Sequence, residues 1–290
     1  MWRTLAGNPA TVIVGFAYRT ATLPTIGGIR IVSLAEGATP NYHFELRFTN
    51  SLQLDAWCAG AHYAYGQTLL TNTWYYLEAK VTINNSGSFE VRVNGQTDIS
   101  GSTDTQTGSN AYADRLYLGG TAGATQAATV DYDDVYVCDN SGGVNDDFRG
   151  DSKVETLFPN GNGNYSQFTG SDGNSTDNYL LVDEVTPNDD TDYVEDATNG
   201  DFDTYALTNL ATTSGVVYGV QTNLLARKTD AGSRNLASVR RLSSTDDVSS
   251  DHSLLDTYSY WVDIRDTKPG GGSWSISDVN SLEAGQKITS

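Results

Sequence analysis

One stretch constrains this chain more than any other: residues 72–95, NTWYYLEAKVTINNSGSFEVRVNG. Tyr75, Leu77, Ala79, Val81 and Ile83 fall on one side, while Glu78, Lys80 and Thr82 fall on the other. That period of two belongs to a half-buried strand, because successive side chains of extended backbone point to opposite faces. Asn84, Asn85, Ser86 and Gly87 then supply turn chemistry, and Phe89, Val91 and Val93 resume the alternation against Glu90, Arg92 and Asn94. Asn94-Gly95 follows where the next turn is due. Both residues tolerate the positive φ that a type I′ hairpin turn requires.

The same grammar recurs along the first half. Strands are expected at 11–19, 28–34, 42–48, 52–57, 73–83, 88–94, 114–118 and 129–138, each bounded by Gly, Pro, Asn, Ser or Thr. Even spacing without intervening helices predicts an antiparallel sandwich or jelly roll. Among 290 residues, 17 Tyr, 8 Phe and 5 Trp supply strand formers without a long apolar run. A Gly/Asn/Asp-rich segment at 139–147 separates the halves, so two domains are expected, 1–140 and 146–290. Beyond it strands are expected at 153–158, 179–185, 203–208, 216–227, 234–242 and 257–265. In the last, Tyr258, Tyr260, Val262 and Ile264 alternate with Ser259, Trp261, Asp263 and Arg265. One helix is expected at 276–284, since Ser275 and Asp278 form a capping-box pattern. The fold class is therefore all-β: an N-terminal jelly roll and a C-terminal β-sandwich with one short helix.

A formal net charge of −19 argues against a nucleic-acid partner and against anionic membrane surfaces. No stretch is apolar enough to span a bilayer, and the N-terminus lacks the charged-then-apolar pattern of a secretion signal. Assembly inside a cell is the expectation. Cys58 and Cys138 are too few and too far apart for a zinc site. Both are expected as small buried hydrophobes, with a single disulfide as the alternative.

A Trp opening one strand, a hairpin, and a strand ending Val93-Asn94-Gly95 together resemble the concanavalin A-like lectin/glucanase (laminin-G-like) superfamily. Arg115-Leu116-Tyr117-Leu118-Gly119-Gly120 and Val130-Asp131-Tyr132-Asp133-Asp134-Val135-Tyr136-Val137 are similar to later strands of such domains. Domains of that superfamily carry a strand or two before the position of Thr11. Either the natural start lies upstream or the domain is trimmed, and an unpaired edge near 11–19 is expected. In the second half, Val154-Glu155-Thr156-Leu157-Phe158-Pro159-Asn160-Gly161, Asp190 to Val194, Val217-Tyr218-Gly219-Val220, Ala226 to Gly232 and Trp274 to Asn280 resemble the domain that follows such a sandwich in structural proteins of tailed bacteriophages. The resemblance implies a virion component, assembled in the host cytoplasm, with other virion proteins, a second copy of the chain and host-surface glycan as partners.

Candidate chemistry is sparse. A glycosidase of this fold would carry two carboxylates about 5–5.5 Å apart on one strand face; Asp131, Asp133 and Asp134 are the nearest cluster, without a matching Glu, and are expected to cap a turn. Glu45-Leu46-Arg47 is faintly similar to the Arg-x-Glu-Leu-Arg strand of sandwich-fold polysaccharide lyases, but His43 stands where the first Arg belongs. No paired carboxylates and no His/Tyr/Arg constellation emerge, so the expectation is no enzyme, no cofactor and no metal. The acid-rich run 181–203 and the segment 172–177 offer oxygens for Ca²⁺, yet neither has EF-hand spacing, and a solvated acidic surface is expected. Sugar C–H faces stack on aromatic rings, which makes Trp57, Tyr63 and Tyr65, in a Gly-containing loop, the candidate carbohydrate-binding residues. The function expected is a virion structural protein displaying a lectin-like domain. A purely structural subunit and a polysaccharide depolymerase are the alternatives.

Overall fold

In the computed structural model, which describes residues 1–22, 28–120 and 128–290, the chain divides into two units, Met1–Val154 and Glu155–Ser290. The first contains β1 (Trp2–Thr4), β2 (Thr11–Thr20), β3 (Ile29–Glu36), β4 (Asn41–Phe48), β5 (Gln53–Cys58), β6 (Ala61–Thr68), β7 (Tyr75–Thr82), β8 (Gly87–Val93), β9 (Gln96–Thr103), β10 (Arg115–Leu118) and β11 (Val130–Asp139). A front sheet has the order β1-β10-β3-β4-β5-β6 and a back sheet the order β11-β2-β7-β8-β9. Neighbouring strands are antiparallel throughout.

Between the sheets lies one contiguous apolar core. Val12, Val14, Phe16 and Tyr18 of β2 and Leu77, Ala79 and Val81 of β7 meet Leu34, Phe44, Leu46, Phe48, Leu54 and Ala56 of the front sheet. The hairpin read from the alternation is β7–β8, and Asn94 (φ 50°) and Gly95 (φ 77°) have the two positive φ values of a type I′ turn before β9. Strand β2 is not the open edge expected near 11–19, because β11 and β7 flank it on both sides. At Gly15 a Cβ would sit 2.2 Å from the Tyr136 ring, which covers that position. The same Tyr136 hydroxyl donates to Glu78 Oε1 at 2.6 Å.

The run 139–147, expected as a linker, is fastened to the back sheet. Lys80 Nζ lies 3.1 Å from Asp147 Oδ1, and Arg92 stacks on Phe148 at 3.9 Å. Gly150 N–H donates to Glu78 Oε1 at 2.8 Å. In β11, Asp134 (φ 52°) stands where the register shifts against β2, and its Oδ1 accepts from Val154 N. Asp131 pairs with Arg19 at 2.9 Å. Both cysteines are free; Cys58 is buried, whereas Cys138 is only half-buried, contrary to expectation.

The second unit contains β12 (Pro159–Ser166), β13 (Thr169–Gly170), a 3-10 turn (Asn178–Leu181), β14 (Val194–Glu195), β15 (Phe202–Leu207), β16 (Val220–Ala226), β17 (Asn235–Leu242), β18 (Thr245–Val248), β19 (His252–Ser253), β20 (Ser259–Arg265), α1 (Ile276–Asn280) and β21 (Leu282–Ile288). Its main sheet has the order β12-β15-β21-β17-β18, with β19 also on β17; β16 and β20 form a separate ribbon, and β13 pairs with β14. The strands expected at 153–158 and 179–185 are irregular chain and the 3-10 turn instead. Helix α1 has the Ser275/Asp278 capping box but ends at Asn280. Residues 282–288 go to β21, a central strand between β15 and β17, where tertiary pairing outweighs local helix propensity. Strands β15, β16, β17 and β20 fall on the strands expected at 203–208, 216–227, 234–242 and 257–265, whereas β12, β13, β14, β18 and β19 lie outside the expected ones.

Candidate functional site

Alternation on the front sheet sends one set of side chains into the core and the other to the outer face. Register places Trp2 beside Tyr117 and Tyr117 beside Ser33. It continues through Ser33, Glu45, Trp57 and His62, with Arg30, Arg47, Asp55 and Tyr65 forming the neighbouring row. The outer face thus collects aromatics and charges from every strand.

These side chains touch in an unbroken band. The rings of Trp2 and Tyr117 lie 6.3 Å apart, and those of Tyr117 and Tyr42 5.7 Å apart. The Arg30 guanidinium stacks on Tyr42 at 4.0 Å and its Nε donates to Glu45 Oε2 at 2.6 Å. Arg47 reaches the same oxygen through Nη2 at 2.6 Å and lies over Trp57 at 4.0 Å. Trp57 Nε1 donates to Asp55 Oδ2 at 2.8 Å. Asp55 Oδ1 lies 3.3 Å from His62 Nε2, within ion-pair range but without the alignment of a hydrogen bond. The His62 and Tyr65 rings close the band at 4.4 Å. Six strands spaced by about 4.8 Å make it roughly 24 Å across.

Arg30 and Arg47 hold Glu45, which is only 4% exposed, in one position from both sides. Stacking of guanidinium on ring leaves each aromatic a fixed platform rather than a mobile side chain, and each arginine a fork oriented for carboxylate. Tyr65 is 57% exposed and Trp2 53%, so the two ends of the band are open to a ligand.

The three aromatics expected in one loop are on strands, and only two share a face. Trp57 (β5) and Tyr65 (β6) lie in the band, whereas Tyr63 sits at the register shift of β6 and turns the other way, packing edge-on against core residue Phe89 at 4.9 Å. His43 is fully buried and accepts from Thr107 N at Nδ1; burial holds its pKa below the ordinary imidazole value. Burial likewise pushes the Cys58 thiol up to about 12, far from thiolate reactivity. The residues missed from the sequence, Arg30, Tyr42, Asp55, His62 and Tyr117, belong to five different strands and become neighbours only through register. The detectable signal was the outward set of β4 and β5, where Glu45, Arg47, Asp55 and Trp57 combine both charge signs with an indole.

In the second unit the acid-rich run is not uniformly solvated. Asp203 is buried, accepts from Asn178 Nδ2 at 2.7 Å and Tyr205 Oη at 3.0 Å, and has its carboxyl raised to about 6 by desolvation. Asp190 instead pairs with Arg227 at 2.7 Å. Among the described residues no group of three or more His, Cys, Asp or Glu side chains is arranged to hold a metal ion. Among the same residues no helix is long and apolar enough to cross a membrane.

No family model matches the chain, and no curated protein matches it. Solved structures do. A Trypanosoma rangeli sialidase is similar over 44% of this chain and 20% of its own, with 19% identity and a TM-score of 0.35. An alginate lyase of polysaccharide lyase family 7 is similar over 44% of this chain and 58% of its own, with 11% identity and a TM-score of 0.34. An endo-β-1,4-glucuronan lyase from the fungus Trichoderma reesei is similar over 44% of this chain and 67% of its own, with 14% identity and a TM-score of 0.33. The similar region spans about a fifth of the sialidase's length. These are β-sandwich folds related to the concanavalin-like jelly roll, and all three proteins are carbohydrate-active enzymes.

The expectation that the chain is not an enzyme is withdrawn. It rested on the lack of a His/Tyr/Arg constellation, and the front sheet brings His62 and Tyr65 together with Arg47 on the same face across Trp57.

Proposed function

We propose that the N-terminal sandwich binds an extended acidic glycan along the front-sheet band. The observation that carries this reading is the unbroken run of stacked aromatics and arginines across all six strands. Rings offer faces to sugar C–H groups, and arginine forks match sugar carboxylates. Arg30, Arg47 and Arg115 bring three of the chain's 17 basic side chains to this one face. Glu45 and Asp55 on the same face offset two of these charges, which leaves it less negative than a chain of charge −19 taken as a whole and so the part of the surface that repels an anionic polymer least.

A second reading, depolymerisation, is favoured by His62, held beside Asp55 and next to Tyr65. A β-elimination needs a base to remove the proton α to the sugar carboxylate, a cation to neutralise that carboxylate, and an acid to protonate the departing glycosidic oxygen. His62, Arg47 and Tyr65 are of the right types for these roles; the His62 and Tyr65 rings adjoin, and Arg47 lies on the same face across Trp57. The finer proposal of display on a bacteriophage particle, where many copies would raise weak affinity by avidity, is supported by the motif order of the second half alone.

The test compares binding of oligouronates and neutral oligosaccharides by the wild type and by Tyr65→Ala, Trp57→Ala and Tyr63→Ala. Each of the first two is expected to weaken uronate binding by about two- to tenfold, since a stacked ring contributes about 0.5–1.5 kcal/mol. Tyr63→Ala, altering the opposite face, is expected to leave binding unchanged. Equal affinity of wild type and the Trp57→Ala/Tyr65→Ala double variant would overturn the reading. Unsaturated ends released from acidic polysaccharide, and lost in His62→Ala, would establish turnover; no release from a broad panel removes the second reading and leaves the first.

A further inference from the structure

In the ribbon of β16 and β20, strand β20 is inside out. Register pairs Leu224 with Trp261, Thr222 with Asp263 and Val220 with Arg265 on one face, and Leu225 with Tyr260, Asn223 with Val262 and Gln221 with Ile264 on the other. The first face is turned to the main sheet of the unit, where Val220, Leu224 and Ala226 pack on apolar clusters while Thr222, Asp263 and Arg265 make polar contacts. Asp263 Oδ2 accepts from Ser238 Oγ at 2.7 Å and lies 2.7 Å from His252 Nε2. Arg240 Nη1 donates to Thr222 Oγ1 at 3.2 Å, and Asp247 Oδ2 accepts from both Arg240 Nε at 2.8 Å and Arg265 Nε at 2.9 Å. The second face is turned to solvent and carries the apolar set, with Tyr260 62%, Val262 49% and Ile264 60% exposed.

An alternating strand ordinarily buries its apolar set and wets its polar one. On β20 ion pairs and hydrogen bonds engage Asp263 and Arg265 inside, although Arg240 Nη2 and Trp261 Nε1 beside them have no hydrogen-bond partner, and the apolar set of the strand is left for something outside. Contiguous apolar surface of this kind marks an interface. The second observation is charge. None of the six outward residues carries a charge at neutral pH, on a chain carrying 36 acidic and 17 basic residues. Two copies of a chain with net charge −19 repel wherever acidic surface meets acidic surface, and a charge-free face is where they can meet without that cost. The third observation is order. Tyr260, Val262 and Ile264 are spaced evenly about Val262, so two antiparallel copies of β20 would place Val262 against Val262 on a two-fold axis and Tyr260 against Ile264 on either side. Such a self-complementary patch is what a two-fold dimer requires.

We infer that the outer face of the β16–β20 ribbon docks a second copy of this chain, ribbon against ribbon, with Val262 at the two-fold axis. The dimer would carry two glycan-binding sandwiches. Its formation does not depend on what those sandwiches bind.

Sedimentation velocity of the full chain over a wide concentration range tests this, with Val262→Asp and Val262→Lys alone and mixed. Val262 is half exposed and has no buried partner to lose, so both variants are expected to keep the wild-type circular dichroism. The wild type is expected to dimerise reversibly. Each single variant, placing like charges face to face on the axis, is expected to weaken dimerisation by about tenfold or more, and mixing the two is expected to restore it as a heterodimer. A wild type that stays monomeric at every concentration, a dimer indifferent to Val262→Asp, or a mixture no tighter than either variant would each overturn the assignment. The last two outcomes would point to another face of the molecule, and the first to a partner of different sequence.

Discussion

The two units solve the same problem in opposite ways. The first buries a single apolar cluster that takes side chains from both of its sheets. The second has two small clusters, Phe168 with Leu236 and Ile288, and Trp274 with Val279 and Leu282. Between them it fills its interior with polar side chains, including Arg240, Asp203, Ser238 and Asp263. Apolar burial is non-directional and tolerates small shifts, whereas a buried polar network stabilises only when donors and acceptors are matched. The difference teaches that equal strand content does not imply equal sources of stability. The first unit is expected to respond to lost volume and the second to lost partners and to pH.

The largest expected effect sharpens the apolar side. Phe16 is fully buried between Tyr18 and Tyr132, and Phe16→Ala is expected to cost the first unit about 3–5 kcal/mol. Denaturant unfolding followed by domain-resolved hydrogen exchange should show this loss in 1–154 and none in 155–290. Equal loss in both would break the comparison by making the units one cooperative block.

Next in size is Arg240→Ala, which takes one partner each from Asp247, Thr222 and Ser238 in the second unit, with Arg265 still on Asp247 and Asp263 still on Ser238. Removing one partner of a buried pair costs about 3 kcal/mol, while a hydrophobic replacement of similar volume recovers part of it. Arg240→Met is therefore expected to be milder than Arg240→Ala in the same measurement. If both leave the second unit unchanged, its polar interior is decoration and the contrast drawn here fails.

The smallest effect has the opposite sign. Asp203 has a folded value of about 6 against 3.8 for an ordinary carboxyl, raised by desolvation. The native state therefore holds its proton more tightly than the unfolded chain. Its contribution is most favourable below pH 3.8 and is lost as pH rises through about 6. Asp203→Asn removes the buried charge and is expected to stabilise the second unit above pH 6 by on the order of 1–2 kcal/mol. The gain should vanish as pH falls toward 3.8. A pH-independent difference in midpoint between variant and wild type would show that Asp203 is not the titrating group.

Much of the first unit was legible because its signals are local. Period-two alternation fixes which side chains share a face, and Asn94-Gly95 fixes a turn, whatever the rest of the chain does. Strand β6 was read as a loop because its Gly, Ala and aromatic residues lack a clean alternation, and only pairing with β5 orders it. In the second unit β21 was hidden behind helix-forming residues, and strand pairing on both sides overruled them.

The sequence by itself determined that this chain is all-β and that Tyr75 to Gly95 turns back on itself, and it offered Trp57 and Tyr65, together with Tyr63, as candidates for stacking on a sugar. Only the tertiary structure decided that Trp57 and Tyr65 join Arg30, Tyr42, Arg47, Asp55 and His62 in one band, that Tyr63 does not, and that β20 turns its apolar face outward. The physical reason is that alternation assigns a residue to a face but not a face to the core. Which side is buried, and which residues of distant strands meet on it, follows from register across the sheet and from the partners available beneath it.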